Sequence, residues 1–435
     1  YKRQKKYRAV LSWYSDNKMR EPVAYLQWLA QQVAEGRRVV VMETLGAFHN
    51  LEELPTDPDL IAAAFEAIGG TYLGNWTDDG SVIAVAESNN DVMGFEQALP
   101  NRFEQYQHFQ TTAESKVYLK LERTDMKESA SSVAWSGPHG GYVMNSIAQS
   151  ETRLGERYVV RWIINPFLFF EDALGIEGWP RADFTTLNGR RVFYLHIDGD
   201  GMGTITKLDY KTTCGGVILR DVIKGYDLPV TASVVVGRIA PPPYGQGSLL
   251  EMDVARDIFR QDNVEIGSHG YAHPMDWRAG VKSELSVPGL PDYVLSGKSE
   301  VSDTVRFINE ELAPEGKECR IMLWTGWCNP AEDQLSSAYE SGVRNLNGGD
   351  PRMDSHYPSY AHMVPPVHQV GSHLQFYTSA ANDYIMTDDW EPPYFRFQNV
   401  VQTFEKTGAY RRVVPVNIYI HYYIAQNFSA LAGLH

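Results

Sequence analysis

Cysteine is scarce in this chain, and that scarcity excludes two ways of holding a fold together. Three thiols among 435 residues, Cys214, Cys319 and Cys328, cannot form a disulfide framework or a thiolate zinc site. One disulfide is the most they allow, and they leave the compartment open. Positive charge is in deficit too: 39 Lys and Arg against 54 Asp and Glu give a formal charge of -15. Nucleic-acid binders gain much of their affinity by releasing counterions at a concentrated basic face, so no nucleic-acid partner is expected. Nowhere does the sequence run for roughly eighteen apolar residues, so no membrane span is expected either. The opening YKRQKKYR has no apolar segment of the signal-peptide kind, as in a processed product or a fragment. Missing as well is a convincing glycine-rich phosphate cradle, which argues against nucleotide binding.

What the chain has in quantity is material for cores. A hydrophobic fraction of 43%, with 25 Tyr, 17 Phe and 10 Trp, suffices for two or three packed domains. AVLSWYS reads as a strand, PVAYLQWLAQQVAEG as an amphipathic helix and RRVVVMETLGAF as a second strand with its exit loop, which makes a βαβ unit. In PTDPDLIAAAFEAIGGTY, Asp57 suits a helix cap, Pro58 the first helical position and the glycine pair the stop. NRFEQYQHFQ looks helical, while KVYLKLER and RYVVRWII look like strands. These segments predict an open α/β domain of unassigned role over about residues 1–175, with the turn-rich GIEGWPRADFTTLNGRR at its boundary.

Residues 176–435 are more regular. Strands are expected at VFYLHI, TASVVVGRI, VEIG, RIMLW, VRNLN, HLQFY and VVPVNIYI, with helices such as LLEMDVARDIFRQ and AEDQLSSAYESG between them. Seven strands alternating with helices suggest a parallel barrel or a near relative, with a doubly wound sheet as the alternative. Asp198 and Asp200 of HIDGDG follow the first strand, His269 and His273 of SHGYAH the third, Trp324 to Pro330 the fourth, and His421 the last. In a parallel barrel those carboxyl ends share one rim, where active sites assemble.

The i, i+4 histidines can meet one ion from a helical turn or from a compact loop. DGDGMGTITKLD imitates a calcium loop, but Met202 occupies a ligand position and Asp209 stands where a bidentate Glu belongs. Asp200 with His269 and His273 gives two nitrogens and one carboxylate, a set suited to hydrolysis with zinc, and to iron chemistry at the level of ligands alone. Asp198 is then spare, and suits a general base.

These motifs resemble those of the polysaccharide deacetylases of carbohydrate esterase family 4, most closely the branch of Pel exopolysaccharide biosynthesis, over about residues 190–430. The resemblance implies an α/β protein whose C-terminal part is a distorted (β/α) barrel. It also implies one divalent metal, zinc, on Asp200, His269 and His273, with Asp198 as base and His421, in NIYIHYY, as acid. The family's third motif carries an arginine followed by two prolines and an aromatic residue, where this chain reads LWTGWCNP. Arg320 or Asp350 is therefore expected to orient the base, and Trp324, Trp327, Asn329 and Trp390 to contact sugar. By the same resemblance the substrate is an N-acetylated exopolysaccharide containing N-acetylgalactosamine, the location periplasmic, and a further partner the exopolysaccharide secretion machinery. No glycoside hydrolase portion is evident, so deacetylation is expected, not chain cleavage. The rival readings are a polysaccharide-binding module on a degenerate barrel and a metal-dependent amidase or esterase of small acylated molecules.

Overall fold

The computed structural model describes residues 7–180, 183–278 and 293–435. The YKRQKK opening and two residues of the turn-rich boundary segment lie outside the described residues. The chain divides into two compact units, Tyr1–Arg181 with Pro358–Ala361, and Ala182–Tyr357 with His362–His435.

In the first unit the elements follow as β1 (Ala9–Tyr14), α1 (Pro22–Ala34), β2 (Arg38–Glu43), α2 (Pro58–Ala67), β3 (Gly70–Thr77), β4 (Ile83–Ser88), β5 (Tyr106–Thr111), β6 (Lys116–Arg123), β7 (Ser131–Gly137), β8 (Gly140–Met144), β9 (Gln149–Leu154), β10 (Arg157–Trp162) and α3 (Pro166–Leu174). The βαβ start is present, with β1 parallel to β2 and Leu11 opposite Val40. Strand β8 joins the other side of β2 in parallel, and β7, β6 and β4 continue the sheet antiparallel. Asp57 caps α2 by accepting from the Asp59 amide at 2.9 Å.

The helix expected over 101–110 is corrected: that segment holds β5, paired with β3 so that Tyr72 faces Phe109. Packing outweighs the helix-prone composition here. Phe109 sits 4.7 Å from Phe65 and 5.0 Å from Tyr142 between ring centroids. The sequence of β7 hides its strand behind serines. Ser131 is buried because its hydroxyl donates to the Gln107 carbonyl at 2.7 Å and accepts from the Phe109 amide at 2.8 Å.

The second unit contains β11 (Thr186–Leu187), β12 (Arg190–Arg191), β13 (Phe193–Asp198), α4 (Cys214–Ile218), β14 (Val230–Val234), α5 (Val236–Ile239), α6 (Leu249–Phe259), β15 (Val264–Ser268), α7 (Asp303–Phe307), β16 (Cys319–Leu323), α8 (Glu332–Glu340), β17 (Arg344–Leu346), β18 (Val367–Val370), β19 (His373–Phe376), α9 (Asp383–Met386), α10 (Val400–Ala409), β20 (Val416–His421) and α11 (Phe428–Leu434). Six strands form one parallel sheet in the order β17-β16-β15-β14-β13-β20. It is open and curled, a distorted (β/α) barrel. Helices cover it through apolar faces such as Met252, Ala255, Ile258 and Phe259 of α6.

Two expectations are corrected. HLQFY belongs to a separate antiparallel hairpin of β18 and β19, and TASVVVGRI leaves the sheet after Val234 to form α5. All three cysteines are free, and among the described residues no helix is long and apolar enough to cross a membrane.

Candidate metal centre

Parallel register brings the motif residues to one rim. Asp198, the last residue of β13, lies opposite His421, the last residue of β20. His269 follows β15 directly, its amide donating to the Val234 carbonyl at 2.9 Å. Of the two arrangements open to the histidine pair, the compact loop is the one adopted, with His273 at φ 56. Glu300, fully buried, holds this loop by accepting from the amides of Tyr271 at 2.8 Å and Ala272 at 2.9 Å. Burial pushes the Glu300 carboxyl up to about 7.

The donor atoms of Asp200, His269 and His273 lie within 4.8 Å of one another. Asp200 Oδ2 is 2.8 Å from His273 Nε2 and 3.4 Å from His269 Nε2. His269 Nδ1 donates to the Leu323 carbonyl at 2.9 Å, which leaves Nε2 as the nitrogen available to a metal ion. That Nε2 is buried with no hydrogen-bond partner, as a ligand nitrogen should be. Burial pushes the Asp200 carboxyl up, but the two imidazoles outweigh it and hold the group well below the usual range. Burial likewise lowers His269, and the carboxylates of Asp198 and Asp200 more than restore it. The cluster thus has an excess of negative charge around an orphaned imidazole nitrogen, and it fits a divalent cation.

Gly199 makes the Asp-Gly-Asp spacing possible. A Cβ there would stand 2.7 Å from the Val235 amide nitrogen and 3.0 Å from His269 Cβ. Gly199→Ala is accordingly expected to push Asp200 away from His269 and weaken zinc binding at least tenfold, the equivalent of about 1.4 kcal/mol. Titration calorimetry checks it, and unchanged affinity would refute the packing argument. The calcium-loop reading finds no support, because Asp209 spends its carboxylate on the Lys211 and Thr212 amides, both at 2.9 Å.

Asp198 stands beside the triad, 3.7 Å from His269 Nε2. Its Oδ1 accepts from Asn347 Nδ2 at 3.0 Å and its Oδ2 from the Tyr419 hydroxyl at 2.6 Å. His421 Nε2 lies 3.6 Å from the same Oδ2, and Nδ1 donates to Asp383 at 2.6 Å. Burial alone would lower the His421 pKa, yet Asp383 and then Asp198 carry it to about 10. An imidazolium is the result at neutral pH.

The residues expected to orient the base are placed differently. Arg320 points into solvent, its side chain 63% exposed and paired with Glu318 at 3.0 Å. It sits near the start of β16, at the end of the strand away from the rim, so it is corrected as a base-orienting group. Asp350 is near Asp198 but makes no hydrogen bond to it. Burial and then Asp198 raise its carboxyl to about 7, and its Oδ1 has no partner. Asn347 and Tyr419 contact Asp198 instead. Trp324 is corrected too, since a ring with no exposed surface cannot stack on sugar; it packs edge-on against Trp277 at 5.0 Å. Asn329 ties down its own loop through the Trp277 amide and Asp276. Trp327 is exposed. Trp390 packs at 6.4 Å against Tyr423, which lines a cleft of about 270 Å³ together with Asp200.

Sequence reasoning missed Tyr419, Asn347, Asp383 and Glu300. Tyr419 was detectable, being two residues before His421 and therefore on the same strand face. Asn347 stands just beyond β17 at the same rim. Asp383 and Glu300 come from loop and helical segments with no local signal.

No family model and no curated protein matches the chain. Among solved structures, one similar chain is the crystal structure of 4-alpha-glucanotransferase from Thermococcus litoralis, at a TM-score of 0.32 and 9% identity. The match covers 56% of this chain and 35% of that one. The open parallel sheet and the Asp/His/His set are consistent with a distorted barrel of the polysaccharide deacetylase type and with metal-dependent hydrolysis.

Proposed function

We propose that the chain is a zinc-dependent N-deacetylase of an N-acetylhexosamine exopolysaccharide, similar to the deacetylase region of PelA, periplasmic and working beside a secretion apparatus. The substrate we assign is a partly acetylated polymer containing N-acetylgalactosamine. The observation that carries the reading is the placement of the Asp198 carboxyl and the His421 imidazole, 3.6 Å apart and next to a ligand set that uses neither. A hydrolase that must take a proton from water and give one to a departing amine needs that combination.

The residues divide the work as follows. Asp200, His269 and His273 would hold a divalent ion, which when bound would supply Lewis-acid activation of water and of the acyl oxygen. Asp198, its anion stabilised by Asn347 and Tyr419, takes the proton of the attacking water at Oδ2. His421 delivers the proton on Nε2 to the amide nitrogen as the carbon–nitrogen bond breaks, while Asp383 retains the proton on Nδ1. Acetate and a free amine leave. The cleft beside Asp200, with Tyr423 and Trp390 at its side, is where the sugar ring is proposed to rest.

Acetate release from partly acetylated N-acetylgalactosamine oligomers, measured on metal-free protein before and after one equivalent of zinc, tests the reading. Zinc-dependent release is expected. Stoichiometric zinc binding without acetate from any acetylated hexosamine would overturn it and favour a binding role.

A further inference from the structure

The first unit has a cleft of its own. Strands β1, β2 and β8 run parallel and finish side by side, and residues beyond their carboxyl ends line a space of about 680 Å³. Open sheets take ligands at this position. The wall also contains two non-glycine residues in left-handed backbone conformation, Glu43 at φ 65 and Ser146 at φ 65, a form of strain that concentrates at functional sites.

The lining selects among ligands. Among its described charged side chains Arg102 alone is basic, against Glu43, Glu104 and Glu151, so a phosphate would find little to hold it. Trp76 is 40% exposed and offers an aromatic surface. Gln107 is 3% exposed; its Oε1 accepts from the Tyr142 hydroxyl at 2.8 Å, and its amide NH2 donates to no side chain or carbonyl among the described residues. Glu43, half-buried, takes a hydrogen bond from the Trp13 indole and pairs with no cationic side chain among the described residues. A flat ring, an unmatched amide donor and an uncompensated carboxylate make a site for a polyhydroxylated ligand bearing a positive group.

We propose that this cleft binds amino sugar, with Trp76 stacking on the ring, Gln107 donating to a hydroxyl and Glu43 receiving the ammonium of a de-N-acetylated hexosamine. The choice of a free amino sugar rests on the deacetylation proposed above; the saccharide character of the cleft does not. The test uses the whole chain carrying Asp200→Ala, so that the triad neither binds metal nor turns over ligand. Calorimetric titration with galactosamine oligomers, N-acetylgalactosamine oligomers and inorganic phosphate is repeated with Glu43→Gln or Trp76→Ala added, each variant first checked for native circular dichroism. Galactosamine oligomers are expected to bind. Glu43→Gln should weaken them roughly tenfold with little effect on acetylated ones, as expected for loss of one charge-assisted hydrogen bond. Trp76→Ala should weaken both, by a comparable factor. Absence of oligomer binding, indifference to both substitutions, or a preference for phosphate overturns the proposal. Intact oligomer binding here, with no acetate released by the zinc-loaded protein that retains Asp200, would instead sink the deacetylase reading and leave the saccharide site standing.

Discussion

Asp198→Asn should lose roughly two to four decades of turnover while binding zinc with unchanged stoichiometry, and Asp200→Ala should lose the zinc itself. The contrast follows from where the two acids sit. Asp200 has both imidazoles within 3.4 Å, whereas Asp198 has a 3.7 Å gap to His269 and spends its oxygens on Asn347 and Tyr419. An asparagine fits the Asp198 position without rearrangement. Its carbonyl oxygen can accept from Asn347, and its amide can donate to the Tyr419 oxygen once that hydroxyl turns. What disappears is the capacity to take a proton. Turnover and zinc calorimetry on the two variants decide the matter; if Asp198→Asn kept its rate, or lost its metal, the division between base and ligand would be wrong.

The second large effect concerns Asp383. His421 is held at about 10, against an ordinary value of 6.5, mainly because Asp383 lies 2.6 Å from its Nδ1. Asp383→Asn removes that anion and must lower the proton affinity of His421. Turnover should fall by roughly two decades or more, with the alkaline limb of the rate profile moving to lower pH. The imidazole can also be followed directly by NMR in metal-free protein. There the wild-type ring should titrate near 10 and the variant's well below it. A wild-type ring titrating near 6.5 would remove the basis for its role as acid. The sign for stability runs the same way. A histidine whose folded pKa is raised contributes stability that is fully present below 6.5 and lost as pH rises through about 10. Denaturant melts of the metal-free protein should show that loss, and Asp383→Asn should flatten it.

The strand ends were legible because the second unit is simple in pattern. FYLHID, VEIGS and VNIYIH are apolar runs that stop at acids or histidines, and parallel pairing brings such stops to one rim. Groups whose importance comes from tertiary neighbours were hidden. Asp383 looks like any acid at a helix start until β20 is laid beside it, and Trp324 looks like a sugar platform until Trp277 covers it. The first unit was harder to read for a related reason. Its strands β3, β5 and β7 carry tyrosine, glutamine and serine inward, where Ser131 donates to the Gln107 main-chain carbonyl and Gln107 Oε1 accepts from the Tyr142 hydroxyl, so no alternation of apolar and polar residues marks them.

The pairing of β20 with β13 also makes the centre depend on a long-range contact. Tyr419 reaches Asp198 across 221 residues of sequence, so the proton-handling half of the centre exists only once the last strand of the chain has docked. The Asp200, His269 and His273 half draws on β13 and β15, joined through β14, and these strands are consecutive in sequence. Distant pairings of this kind form late and slowly. A cation captured by the triad before β20 docks would meet a centre without Tyr419 and His421, and its binding energy would be available to favour the docking of the remaining strands.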